Sequence, residues 1–215
     1  MMKKIVPKLR SRIRRLRNTV KIRNRKVSLI TQDCIGGVLS HDYMLPFRSP
    51  TINLFIEGEN FVKLVENLRH YLSVPAEPYL DEYVDPVDPS VRYPKIRVED
   101  IEICCMHYGS CEEAVEAWER RRKRVDFDNI RVIANSSNLK ENEDLIRRIC
   151  NTGYKTICFT YGDRGIRNCI PLTEDFWKPD RRGILRPDLT DYDAASGKRY
   201  YEKYVDFAKW INSRF

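Results

Sequence analysis

Short β-branched runs alternate along this chain with segments of helical period, and that alternation constrains its fold more than any other feature. Val27-Ser28-Leu29-Ile30-Thr31 is an apolar run closed by polar residues and glycines, the pattern of a buried strand. Ile101 to Met106, Ile130 to Ala134 and Thr156 to Thr160 read as further strands. Asn60 to Leu72, Cys111 to Arg124, Leu139 to Cys150 and Arg199 to Ser213 read as helices. In the first of these, Phe61, Leu64, Val65, Leu68 and Leu72 share one stripe; in the last, Tyr201, Tyr204, Val205, Ala208 and Ile211 face the body. The alternation predicts an α/β three-layer sandwich: a central sheet that is mostly parallel, or mixed, with helices on both faces. Ser73 to Pro94 carries five prolines and predicts a long ordered loop or an edge excursion.

A chain of 215 residues fits one large domain, the usual range being roughly 100–200 residues. No apolar run approaches the roughly 20 residues of a spanning helix. Charge divides the chain unevenly. Twelve of the 39 Lys and Arg residues lie in residues 1–26, which hold no acid, so the remainder sets 27 basic groups against 31 acidic ones. Residues 1–25 are therefore expected to form a basic arm and residues 26–215 a single α/β domain. In the arm, Ile5, Leu9, Ile13 and Leu16 recur at spacings of three and four among Lys and Arg, the pattern of a basic amphipathic helix. Such a helix suits an anionic inner-membrane surface through residues 1–24, or a protein partner. A nucleic-acid partner is not expected, because the basic residues do not cluster on the fold itself. The basic start is not followed by the apolar stretch of a signal peptide, so the expected location is the cytoplasm, at the membrane periphery if the arm binds lipid.

Seven cysteines, an odd number in a chain of this size, point to reduced thiols rather than disulfide staples. Cys104, Cys105, Cys150 and Cys158 stand in apolar surroundings, where cysteine behaves as a small core residue.

Open α/β sheets place ligands beyond the carboxyl ends of their strands. Here those ends are Gln32-Asp33-Cys34-Ile35-Gly36-Gly37, His107-Tyr108-Gly109-Ser110, Asn135-Ser136-Ser137 and Tyr161-Gly162-Asp163-Arg164. A thiol at a strand-to-helix turn is a candidate nucleophile, with Gly36 and Gly37 as backbone donors and His41 or His107 as general base. The alternative is a buried small Cys34 beside an ordinary turn. Cys105 and His107, two residues apart on an extended strand, are expected to share a side, and with Cys111 they raise a zinc reading. No further ligand pair stands at zinc spacing, so no metal is assigned. Of two acidic pairs suited to metal-dependent sugar-nucleotide chemistry, Asp126/Asp128 lies where a helix enters a strand, the wrong end of the sheet for a ligand, and Asp191/Asp193 remains a candidate. Neither a phosphate-binding loop nor a dinucleotide fingerprint occurs, and the cofactor is left unknown.

The succession Cys34-Ile35-Gly36-Gly37, His41, Phe47-Arg48-Ser49-Pro50-Thr51-Ile52-Asn53-Leu54, Asn67-Leu68 with Tyr71, Tyr93-Pro94, His107-Tyr108 and Trp118-Glu119-Arg120-Arg121 resembles the bacterial family called domain of unknown function nineteen-nineteen. The resemblance covers about residues 26 to 213. Members of that family often have asparagines just before the cysteine, where this chain has Gln32-Asp33. They are often labelled exopolysaccharide biosynthesis proteins, which implies work on a surface or capsular glycan at the cytoplasmic side. The resemblance implies that setting and not a reaction; a strand-end cysteine with a histidine, by analogy with polysaccharide acyltransferases, makes the expected activity a glycan-modifying transferase, acyltransferase-like, with a glycan or sugar-nucleotide/acyl-donor substrate. Cys34 would be nucleophile or substrate contact, His107 or His41 the base, and Gly36 and Gly37 backbone donors. Ser49, Thr51 and Asn53 would line the pocket, and Tyr108, Trp118 and Arg121 would meet a sugar or phosphate. A sugar-nucleotide glycosyltransferase and a non-enzymatic membrane-surface assembly protein are the alternatives.

Overall fold

A computed structural model describes residues 16–85, 88–172, 178–179, 185–186, 188–193 and 196–213. Its centre is a four-stranded parallel sheet made of β1 (Ser28–Thr31), β5 (Ile130–Asn135), β6 (Lys155–Tyr161) and β7 (Cys169–Leu172), in the order β1-β5-β6-β7. Between β1 and β5 the chain forms a three-stranded antiparallel sheet, β2 (Glu77–Val84), β3 (Arg92–Val98) and β4 (Ile101–Cys104). Two short strands, β8 (Lys178–Pro179) and β9 (Leu185–Arg186), pair with each other. The α/β expectation holds. The strand expected at Ile101 to Met106, however, lies in the antiparallel sheet and ends at Cys104.

Side chains alternate across the parallel sheet, because the strand period is two. Ile30, Val132, Ala134 and Cys158 face a large apolar layer. That layer is completed by the helices α2 (Gly58–Glu66), α3 (Leu68–Tyr71), α4 (Cys111–Arg122) and α5 (Glu143–Cys150), together with the antiparallel sheet. Leu29, Ile133, Ile157 and Phe159 face the other side, where α1 (Ile35–Asp42) and α6 (Phe207–Asn212) pack. Helices therefore cover both faces.

Several elements are shorter than the periodicity predicts, and capping side chains explain where they stop. The expected helix from Leu139 starts at Glu143, because the Asn142 side chain accepts from the Asp144 and Leu145 amides while Lys140 and Glu141 take positive φ. The expected terminal helix divides into a 3-10 turn, Tyr200–Lys203, and α6, whose start is fixed by Asp206 accepting from Lys209 N. The expected Asn60 to Leu72 helix begins at Gly58 and breaks at Asn67, between α2 and α3. Ser73 to Pro94, expected to be a long ordered loop or an edge excursion, holds the edge strand β2 and the start of β3. Pro78 is absorbed by the edge position of β2 and by register shifts between Pro78 and Leu80 and between Leu80 and Tyr83.

Most of the expected arm, including Ile5, Leu9 and Ile13, lies outside the described residues. Residues 16–21 are helical. From Asn18 onward the segment is docked on the body: Ile22 is buried, the Arg23 and Asn24 amides donate to Asn212 Oδ1, and Asn24 Nδ2 donates to Asn129 Oδ1. Leu16 and Val20 stay exposed. No described helix is long and apolar enough to cross a membrane.

Candidate functional site

The parallel sheet does not by itself bring the candidate side chains together; two backbone residues do. Phe55 N donates to Cys104 O and Cys104 N to Phe55 O, both at 2.9 Å, while Ile56 N donates to Gln32 O at 3.0 Å. Residues 55–56 thus sew the end of β4 to the end of β1. Three residues beyond Cys104, His107 reaches across to the turn after β1, and its Nε2 lies 3.1 Å from Cys34 Sγ. The two residues are 73 apart in sequence.

Cys34 stands at the start of α1, at the mouth of a cavity of about 300 Å3. Asp33, His107, Phe55 and Met106 line it from the junction of the two sheets, and Asn135 and Asn138 from the end of β5. Asp188, Leu189 and Thr190 close it from the loop before the 3-10 turn. That loop is built from its own hydrogen bonds. Thr190 N and Oγ1 both donate to Asp188 Oδ1 at 2.7 Å, Tyr201 N donates to Leu189 O at 3.0 Å, and Arg199 Nη1 donates to Thr190 O.

The electrostatics of this corner are anionic. Asp33 accepts from Ile35 N and from Asn138 Nδ2, each at 3.0 Å, yet burial and the nearby Asp188 carboxylate push its carboxyl up to about 6. Burial, then Asp33, then Asp188 push the Cys34 thiol up to about 12. At neutral pH Cys34 is therefore a thiol, and any nucleophilic attack has to transfer its proton as the new bond forms. With the imidazole in the Nδ1–H tautomer, Nε2 of His107 is placed to take it.

The remaining sequence candidates have other places. His41 is seven residues along α1 from Cys34, roughly 10 Å at 1.5 Å per residue. It lies beside Asp42 in a separate shallow recess with Arg25, Lys26 and Phe47, so it is not the base for Cys34. Gly36 and Gly37 belong to α1 rather than to a turn, and their hydrogen atoms permit close packing. A Cβ on Gly36 would lie 2.5 Å from Thr31 Oγ1, and one on Gly37 would lie 2.1 Å from Asn53 Oδ1. Ser49 and Thr51 are fully buried, 3.0 Å apart at their hydroxyls, and Thr51 Oγ1 accepts from Thr31 N. They brace β1 instead of lining the cavity, and Asn53 packs behind α1. Trp118 is fully buried in the core. Arg121 is buried with its Nη1 donating to Ile52 O and to Tyr108 Oη, so it ties the 47–52 loop and Tyr108 to α4. These residues position the site from behind and present no surface to a ligand in the cavity.

Cys105 and His107 do not share a side, because β4 stops before them: Cys105 turns into the core with its thiol toward Ile103 O, whereas His107 is exposed. The Cys111 thiol is also internal, toward Lys95 O and Leu80 O. Asp191 and Asp193 are engaged within their loop, Asp191 Oδ2 accepting from Asp188 N and Asp193 Oδ2 pairing with Lys203. Asp188 and Thr190 escaped the sequence reading because they follow no strand of the parallel sheet. The polar rim after β5 was the available signal for Asn135, but Asn138 joins only through the turn that places its Nδ2 on Asp33.

Comparison with known proteins gives two findings. An uncharacterized protein of Haemophilus influenzae is 28% identical over 193 residues, which is 89% of this chain and 87% of the relative. The family model described as Domain of unknown function (DUF1919) matches residues 5–212, and with nearly the whole length covered the chain belongs to that family.

Proposed function

We propose that this protein is a cysteine-dependent acyltransferase that modifies a sugar of a surface-polysaccharide precursor, with Cys34 as nucleophile and His107 as general base. The observation that carries the reading is the 3.1 Å approach of the Cys34 sulfur to His107 Nε2 at the mouth of a cavity. Attack of the sulfur on an acyl carbonyl forms the S–C bond as the thiol proton passes to Nε2. Collapse of the tetrahedral adduct expels the donor's leaving group, which takes that proton. An acceptor hydroxyl then gives its proton to the same nitrogen, attacks the thioester and returns Cys34 as a thiol.

The cavity wall favours a hydroxyl-rich acceptor. Its described lining has two carboxylates, two amides, a hydroxyl and the aromatic rings of Phe55 and Phe159, and no Lys or Arg. Carboxylates and amides accept and donate to sugar hydroxyls, and apolar rings cover a sugar's C–H face. The same anionic wall repels a nucleotide diphosphate, which weighs against a sugar-nucleotide donor. The polysaccharide setting itself comes from the family resemblance.

Incubation of the protein with p-nitrophenyl acetate, a small uncharged donor probe that the anionic wall does not repel, followed by intact mass spectrometry, tests the chemistry. An acetyl adduct on Cys34 is expected, absent in Cys34→Ala and formed roughly 100- to 10,000-fold more slowly in His107→Ala. Transfer at the wild-type rate by Cys34→Ala overturns the assignment. The arm would hold the enzyme at an anionic membrane surface. In support, Leu16 and Val20 are exposed beside exposed Arg17 and Lys21. Equal binding of full-length protein and a variant lacking residues 1–17 to anionic liposomes would refute that placement.

A further inference from the structure

Away from Cys34 and His107, in the apolar layer that Ile30, Val132, Ala134 and Cys158 face, three thiols converge from three elements. Cys150 is the last residue of α5, Cys158 lies in the middle of β6, and Cys169 opens β7. Cys158 and Cys169 are register partners on adjacent parallel strands, so their side chains leave the sheet side by side. Cys150 comes down on them from the end of the helix, with its sulfur 3.8 Å from that of Cys169. All three sulfurs lie within 4.8 Å of one another, and among the described residues no His, carboxylate or fourth Cys joins them.

We propose that Cys150, Cys158 and Cys169 form a thiolate site for a soft d10 metal ion, of the class of Zn(II) and Cu(I). Metal–sulfur bonds of about 2.3 Å set the sulfurs of a tetrahedral or trigonal centre roughly 3.8–4.0 Å apart, so the three side chains stand near ligand spacing. A disulfide would join two sulfurs at about 2.05 Å and leave the third without a role. Sulfur-only ligation selects soft ions over Mg(II), Ca(II) or Mn(II). Cys158 is fully buried and Cys150 nearly so, whereas Cys169 is partly exposed and offers an entry path. Binding releases the three thiol protons to solvent and ties α5, β6 and β7 together. Spacings of eight and eleven residues match no common zinc motif, so only the fold brings the three thiols together.

The test uses full-length protein, reduced and metal-free under nitrogen, titrated with Zn(II) and separately with Cu(I) against a competing chelator. One equivalent of metal per chain is expected, with a rise in Tm and protection of three thiols from alkylation; Co(II) should give sulfur-to-metal charge-transfer absorption. Cys34→Ala protein should behave as wild type, which separates this site from the Cys34–His107 pair. Cys169→Ser, the partly exposed position least apt to disturb folding, should weaken binding ~100-fold or more, since loss of a direct ligand exceeds the 10–100-fold cost of losing a supporting contact. The proposal is overturned if neither metal protects the thiols, or if a folded Cys150→Ser/Cys158→Ser/Cys169→Ser protein binds as well as wild type.

Discussion

Asp33→Asn is expected to stabilise the protein at pH 8 and to leave it nearly unchanged at pH 3.5. The Asp33 carboxyl is raised from 3.8 to about 6 by burial and by Asp188. Below 3.8 both folded and unfolded chains hold the proton. Between 3.8 and about 6 the unfolded chain ionises first, so folding takes up a proton and stability falls as pH rises; above about 6 the loss is complete. Two pKa units at 1.36 kcal/mol each make that loss about 3 kcal/mol. Asparagine stays neutral throughout. Its Oδ1 can keep the Ile35 amide, and a turn of the Asn138 amide can restore the second bond. A net gain of about 2 kcal/mol at pH 8 is expected, or roughly 4–8 °C in Tm for a domain of this size. Urea denaturation of both proteins from pH 3.5 to 8 measures it. A difference that is flat across this range, or that favours the wild type more at pH 8 than at pH 3.5, would refute the electrostatic account. Because Asp33 also helps hold the Cys34 thiol up, iodoacetamide should modify Cys34 faster in the variant at pH 8.

Gly36→Ala should destabilise by up to about 2 kcal/mol. Overpacking against the immobile Thr31 side chain, at about 1–3 kcal/mol, exceeds the helix-propensity gain of about 1 kcal/mol, and a more stable variant in chemical denaturation would contradict the packing argument. Arg148 bridges α5 to α2 through paired bonds to Glu66 at 2.8 and 3.0 Å and to Glu59 at 3.0 and 3.2 Å. Arg148→Met should cost about 1 kcal/mol in low salt and less in 1 M NaCl, and a salt-independent loss would mean that packing, not charge, carries the contact. Arg148 also holds the Glu66 carboxyl below its usual range. The stability from that pair is present above the unfolded pKa of Glu66 and lost as pH falls through the folded one, so the wild-type advantage should shrink on acid titration.

Elements whose pattern is local were legible from the residues. Ile30 and its neighbours could only be a buried strand, and Phe61, Leu64, Val65 and Leu68 face the core as their spacing requires. Helix ends were less so, because Asn142 and Asp206 act through local capping bonds and Asn67 through a backbone break, none of which periodicity registers. The hairpin of β2 and β3 was hidden by the prolines of the segment, and the tolerance of Pro78 depends on an edge position that only the assembled sheet defines.

For the site, the sequence by itself determined the rim: a thiol at the first strand-to-helix turn, an imidazole after another strand, amides after a third. Tertiary structure decided which of them meet. The hydrogen bonds of Phe55 and Ile56 bring His107 to Cys34 and leave His41 some two helical turns away. Packing turned Ser49, Thr51, Trp118 and Arg121 into supports. Burial, then Asp33, then Asp188 on its distant loop keep Cys34 protonated. Contacts between residues 73 or more apart are set by how two sheets are joined, and no local periodicity encodes that junction.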